Sequence, residues 1–338
     1  MLSGFKNFCG WIFLTLDHAF SVIRYSIFYS IYMNNKDAED KSTLGAWMLA
    51  ARPRTLPAAI APVMLGSATA VADKSFVWLP AVAALMVALL LQIGVNLAND
   101  YFDYLKGIDT QDRLGPPRVT QSGLIPANQV KAGMILILIM SLIPGIYLLI
   151  LGGLPVLIIG LACICAALAY SGGPFPLASH GLGDLFVFIF FGLVAVCGTY
   201  YVQALRLTPL VWLMGVIEGL LITAILVVNN LRDIQSDRQT GKRTLAVIIG
   251  DRGSKLEYVL LLAGAYAIPI ILWLSSRMSA WVLLPLFSLP TALSLIHLIW
   301  KNPAGPVLNQ ALAKTAKLAL IYSLLLSIGL ILLKYSGL

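Results

Sequence analysis

Charge is scarce in this chain. Asp, Glu, Lys and Arg together make up 11% of its 338 residues, where a soluble domain carries about 25%. Cysteine and histidine are scarcer still. The four cysteines, Cys9, Cys163, Cys165 and Cys197, form no C-x-x-C pair, and the three histidines, His18, His180 and His297, share no metal spacing. These shortages exclude a disulfide framework and a Cys/His zinc site. Hydrophobic residues fill the space that polar ones leave: they are 59% of the chain, with a mean hydropathy of +0.88. That much apolar surface exceeds what one soluble core can bury, so the chain reads as an all-α integral membrane protein. A β-barrel is excluded because its strands alternate and never make long apolar runs.

Nine apolar runs stand out, near residues 44–72, 76–98, 132–151, 153–170, 184–205, 209–228, 258–275, 280–300 and 316–334. Each is expected to cross a hydrocarbon layer about 30 Å thick as a helix. Residues 1–43 stand apart as an N-terminal extension ahead of a transmembrane domain at 44–338, with an interfacial helix and a polar linker expected and a tenth span or an over-long gene start as alternatives. One set of connections between runs holds fifteen Lys and Arg residues and the other holds four, so the first set is expected to face the cytoplasm. The net charge of +8 follows from this asymmetry and implies no nucleic-acid partner.

Six of the fifteen acids fall in two of the basic loops, Asn96 to Gly123 and Asn229 to Val247. Asn96, Asp100 and Asp103 follow an i, i+4, i+7 spacing, and Asn229, Asp233 and Asp237 follow i, i+4, i+8. Both spacings place a trio on one helix face at the mouth of a span. Like charges there repel one another and oppose the negative end of the helix dipole, so a cation must compensate them. Mg²⁺ suits the task, because it takes one or two carboxylates and completes its shell with water and phosphate oxygens. Asp103, Asp233 and Asp237 are the expected ligands, with Asn96, Asn99, Asp100 and Asn230 in support. Lys106, Arg113 and Arg118 follow the first acids and Arg238, Lys242 and Arg243 the second, and of these Lys106, Arg113, Lys242 and Arg243 are expected to grip the oxygens of a diphosphate. Arg52 precedes the first span and would meet a diphosphate or a carboxylate. Gln92 and Gln203 read as interhelix hydrogen-bond partners, and Glu218, deep in the sixth run, has no assigned role.

These loops resemble the UbiA superfamily of membrane prenyltransferases. Asn99, Asp100 and Asp103 match its N-D-x-x-D motif, and Asp233 and Asp237 its D-x-x-x-D motif. Where the general family has an Asp, this chain has Gly107, with Asp109 two residues later, and the resemblance implies that Asp109 joins the Mg²⁺ ligands. That K-G-x-D variant (Lys106 to Asp109) is similar to the branch acting on 1,4-dihydroxy-2-naphthoate, as are Ala51–Val63, Asp112–Gly123 and Tyr170–Asp184. The resemblance implies nine transmembrane helices around a cavity that opens laterally, in the bacterial inner membrane, with the site facing the cytoplasm. It implies Mg²⁺-dependent transfer of a polyprenyl group from its diphosphate to dihydroxynaphthoate, in menaquinone biosynthesis. It also implies that Tyr170 and Asp184 stand near the aromatic acceptor. Another aromatic acceptor, a phytyl donor, or a cation-coupled transporter of a different class would fit the same acids.

Overall fold

The computed structural model describes residues 43–107, 114–115, 117–275 and 278–333. Two compact units divide the chain, Met1–Leu49 and Ala50–Leu338. In the first, the described residues are helical from Thr43, and the expected interfacial helix lies outside the described residues. The second carries the remaining elements, and helix is the only regular structure among its described residues.

In chain order the helices are α1 (Thr43–Ala51), α2 (Pro57–Ala72), α3 (Trp78–Leu105), α4 (Ala127–Gly152) and α5 (Leu154–Ala169). Next come α6 (Gly183–Val187), a π-helical stretch (Phe188–Val194) and α7 (Ala195–Ala204), which together make one span. Then follow α8 (Pro209–Arg232), α9 (Ile234–Gln239), α10 (Leu245–Leu274), a 3-10 stretch (Ala280–Ser288) running into α11 (Leu289–Lys301), and α12 (Leu308–Leu333).

Each expected run carries helix among the described residues, where seven helices are long and apolar enough to cross a membrane, and eight if the bent first run is one span. The first run is broken between α1 and α2 by the 3-10 turn Pro53–Thr55. The fourth, α5, has 16 residues and spans about 24 Å, short of a hydrocarbon layer about 30 Å thick. Helices also outrun the apolar runs where polar residues continue them. α3 reaches Leu105, and α10, kinked at Gly250 (φ 77°), begins at Leu245 behind an N-cap in which Thr244 accepts the amide of Val247 at 3.4 Å.

Burial orders the bundle. Met214, Ile217, Leu221 and Leu231 of α8 are fully buried, which makes α8 the central helix. Ile139, Ile143, Ile146 and Ile150 of α4 form an exposed stripe at helical spacing. Such a stripe is at home against lipid, where every backbone polar group is already satisfied within the helix. Gly192 and Gly219 let the π-helical stretch meet α8 closely: a Cβ on Gly192 would lie 2.5 Å from the Gly219 Cα. Gly153, at φ 65°, makes the tight turn between α4 and α5.

At the far end of α2 from Arg52, Asp73 accepts hydrogen bonds from the Tyr200 hydroxyl and from Arg206 Nη2, the latter at 2.6 Å. Burial works against ionisation of Asp73, but these bonds outweigh it and hold its carboxyl below the usual carboxylate range.

Candidate functional site

α3 carries the first acidic trio on its last turns, and each member does something different. Asp100 is 1% exposed, and its two carboxylate oxygens accept the backbone amides of Val119 (3.1 Å) and Thr120 (3.0 Å). That pair of bonds folds the loop back onto the helix that precedes it. Arg118, one residue earlier, is thereby delivered to Asp103, with Nη2 at 2.9 Å from Oδ2 and both side chains buried. Asn96 donates to the Ala51 carbonyl and to Thr55 Oγ1, both at 2.9 Å, and so ties α3 to the broken start of the first run.

The segment after α5 is stitched to the same helix end. Ser171 Oγ donates to Asn99 Oδ1 at 2.5 Å, and Lys106 Nζ donates to the Ser171 carbonyl at 2.5 Å. Gly172 packs beneath Phe102, where any Cβ would lie 2.7 Å from the ring. Burial pushes the Lys106 ammonium below the ordinary lysine range; Asp103 opposes the shift and Lys242 adds to it.

In the second loop, α8 stops at Arg232 and Asp233 caps it at φ −93° and ψ 6°. The expected single face for Asn229, Asp233 and Asp237 is therefore interrupted, since Asp237 belongs to the separate helix α9. The Asp237 amide still bonds to the Asp233 carbonyl at 2.8 Å, which keeps the two acids one turn apart. Arg232 is 2% exposed. It grips Asp233 through Nε (2.7 Å) and Nη2 (2.5 Å), and also reaches Asn229 and Asn309 at 3.0 Å each. Asn309 in turn donates to the Leu114 carbonyl of the first loop at 3.1 Å.

The two loops and the segment after α5 converge. Lys242 Nζ of the second loop stands 3.6 Å from Asp103 Oδ2 of the first. The Arg243 amide donates to the Ser179 carbonyl at 3.1 Å. Tyr170 lies within electrostatic reach of Asp184, Asp103 and Asp237. Asp184 is 5% exposed and its Oδ2 is buried without a hydrogen-bond partner. Asn230 is buried near the end of α8. Asp109 and Arg113 lie outside the described residues.

Beside this cluster is a cavity of about 570 Å³, walled by α2 to α5, the π-helical stretch and α7. Its wall is mostly apolar; Arg52, Thr55, Gln92, Asn96, Asn99 and Tyr170 gather at one end, and Ser141, Thr199 and Tyr201 add polar groups elsewhere. Asp103, Asp233 and Asp237 do not line it.

Sequence reasoning placed Arg118 among the cations of the first loop without pairing it to Asp103, and did not single out Arg232, the cation that neutralises Asp233. Their signal was position: one falls within a conspicuous acidic loop, and the other directly precedes an expected ligand. Among the described residues no three His, Cys, Asp or Glu side chains gather closely enough to hold a metal by themselves. The donor chemistry nonetheless suits Mg²⁺, which needs only one or two carboxylates when phosphate and water supply the rest.

The profile of the UbiA prenyltransferase family matches residues 59–321. The chain is 38% identical over 283 residues to the 1,4-dihydroxy-2-naphthoate octaprenyltransferase of Mycobacterium leprae, covering 84% of this chain and 95% of that protein. It is 37% identical to the Escherichia coli enzyme of the same name, covering 86% and 97%. A UbiA homologue from Archaeoglobus fulgidus, solved with DMAPP and Mg²⁺ bound, has the same fold at a TM-score of 0.59 and 14% identity, covering 84% of this chain and 98% of that one.

Proposed function

Because the chain belongs to the UbiA prenyltransferase family, we propose that it transfers a polyprenyl group from its diphosphate to 1,4-dihydroxy-2-naphthoate, in menaquinone biosynthesis. The observation that carries this reading is the approach of Lys242 to Asp103 beside the polar end of a mostly apolar cavity. It gathers anionic and cationic side chains from two loops where a long hydrocarbon can lie alongside.

The reaction breaks the bond between prenyl C1 and the diphosphate oxygen, and the electron pair leaves with the diphosphate. A ring carbon of the acceptor then bonds to C1. Its carboxylate departs as CO₂, and the electrons of that bond restore aromaticity. Asp103, Asp233 and Asp237, with Asp109, are the residues that would hold Mg²⁺, and the ion would neutralise charge developing on the leaving group. Lys106, Lys242 and Arg243, with Arg113, hold the diphosphate oxygens. Arg118 and Arg232 keep Asp103 and Asp233 in place. Asn96, Asn99, Asp100 and Asn230 brace the loops around that head. Tyr170 and Asp184 face the aromatic acceptor, and the Tyr170 ring stabilises positive charge at C1. The apolar wall keeps water from that carbon.

The chain is a multi-pass membrane protein. Its basic loops face the cytoplasm of a bacterial inner membrane by the positive-inside rule, and both substrates reach the site from that leaflet. A product assay by mass spectrometry tests the reading, with purified protein, dihydroxynaphthoate and a panel of isoprenoid diphosphates. Prenylated naphthol should form with Mg²⁺, stop with EDTA and resume when Mg²⁺ is restored. Absence of product with every donor would refute the proposal.

A further inference from the structure

Gln92 stands on α3 one turn before Asn96, in the cavity wall and 7% exposed. Counting protons fixes which way its amide points. Thr55 Oγ1 gives its single proton to the Arg52 carbonyl at 3.0 Å. It can therefore only accept from its other neighbours, Asn96 Nδ2 at 2.9 Å and Gln92 Nε2 at 3.2 Å. Asn96 Nδ2 also donates to the Ala51 carbonyl, which leaves Asn96 Oδ1 as the acceptor facing Gln92 Nε2 at 3.4 Å. Both protein neighbours of this amide are acceptors, so its nitrogen is the end that faces them. The other end, Oε1, is buried with no hydrogen-bond partner. Buried polar atoms are nearly always paired, so an unpartnered acceptor on a residue that lines a cavity marks where a donor arrives.

We propose that Gln92 Oε1 receives a hydrogen bond from a ring hydroxyl of the aromatic acceptor and so sets which ring carbon meets the prenyl group. The inference rests on the transfer reaction proposed above. The chemistry of the two substrates separates them at this atom. An ionised diphosphate and an isoprenoid chain offer no hydrogen to an amide oxygen, whereas a dihydroxylated aromatic offers two. Position agrees with chemistry. Gln92 lies 11 residues before Asp103 on one continuous helix, about 16 Å away at 1.5 Å per residue. A diphosphate head followed by a bicyclic ring fills a gap of that size. Arg52 lines the same end of the cavity and supplies a cation for the carboxylate of the ring.

The test uses the full-length purified protein, with binding read by tryptophan fluorescence and product by mass spectrometry. The ligands are 1,4-dihydroxy-2-naphthoate and its two analogues that each lack one ring hydroxyl. In the wild type, one analogue should bind about ten- to a hundred-fold more weakly than the parent, the loss expected for an unpaired buried acceptor. In Gln92→Met that ratio should fall to near one, while KM for the prenyl diphosphate stays unchanged. Damage to the Thr55–Asn96 network would weaken all three ligands alike and leave the ratio intact. A ratio unchanged by Gln92→Met, or a wild type indifferent to both hydroxyls, overturns the inference and assigns Oε1 to a water molecule. Failure of the transfer reaction is read separately, as bound acceptor with no prenylated product.

Discussion

Lys242 Nζ lies 3.6 Å from Asp103 Oδ2, so a residue of the second acidic loop reaches the first across some 140 positions of sequence. The separation is too long for a strong hydrogen bond but short enough for charge attraction. The ammonium can therefore turn to an incoming phosphate oxygen without first breaking a tight bond.

Replacing Asp103 by Asn should lower turnover at least about 100-fold through lost electrostatic stabilisation. It also strands Arg118, which is buried against it, and removing one partner of a buried pair costs about 3–5 kcal/mol. The single variant should therefore melt earlier than wild type. Asp103→Asn combined with Arg118→Met should recover the melting temperature but not the activity. Activity returning along with stability would show that Asp103 serves only the fold.

The donor KM should rise with pH earlier than an ordinary lysine, titrating near about 10.4, would allow. Burial, and Lys242 after it, lower the folded pKa of Lys106, so its charge is lost as pH climbs through that depressed value. A KM–pH profile measures this directly. Lys106→Arg should flatten the alkaline limb, because a guanidinium stays charged throughout.

Stability in acid should depend on Asp73. Its folded pKa lies below the unfolded value of 3.8, so its contribution is complete above that pH and is lost as pH falls through the folded pKa. Melting curves in detergent between neutral pH and strong acid should show a drop that Asp73→Asn abolishes. Equal drops in both proteins would place the acid sensitivity elsewhere.

Room for the tail should depend on Gly145, Gly160 and Gly198. Each lines the cavity, and a Cβ at any of them would meet nothing within 4 Å. Gly145 lies about 27 Å along α4 from its start, toward the turn at Gly153 and away from Asn99. Gly160→Leu should cut turnover with an octaprenyl donor about tenfold or more relative to a geranyl donor. Equal effects on both donors would mean that the tail leaves sideways before reaching this depth.

The membrane class and the clustering of both acidic loops were legible in the sequence because charge is so rare in it that every concentration of charge stands out. The division of labour within a cluster was not. Asp100 and Asp103 share a residue type and a helix face, yet one holds loop backbone and the other holds a guanidinium. Arg118 was legible as one of the cations following the first acids but not as the partner of Asp103, 2.9 Å away, because loop position carries no pairing information. Helix ends were hidden for a related reason. Residues 245–257 are too polar to extend an apolar run, yet α10 begins there on a threonine cap. Gln92 was legible only as an interhelix partner, since nothing in a sequence tells one end of an amide from the other.

Arg52 occupies the left-handed region at φ 52° and ψ 68°, where a side chain costs about 1–2 kcal/mol and glycine costs nothing. Folding alone would therefore favour glycine at this corner. A screen for thermal robustness should enrich Arg52→Gly, and a screen for catalytic output should discard it. The two searches would pull this one position in opposite directions.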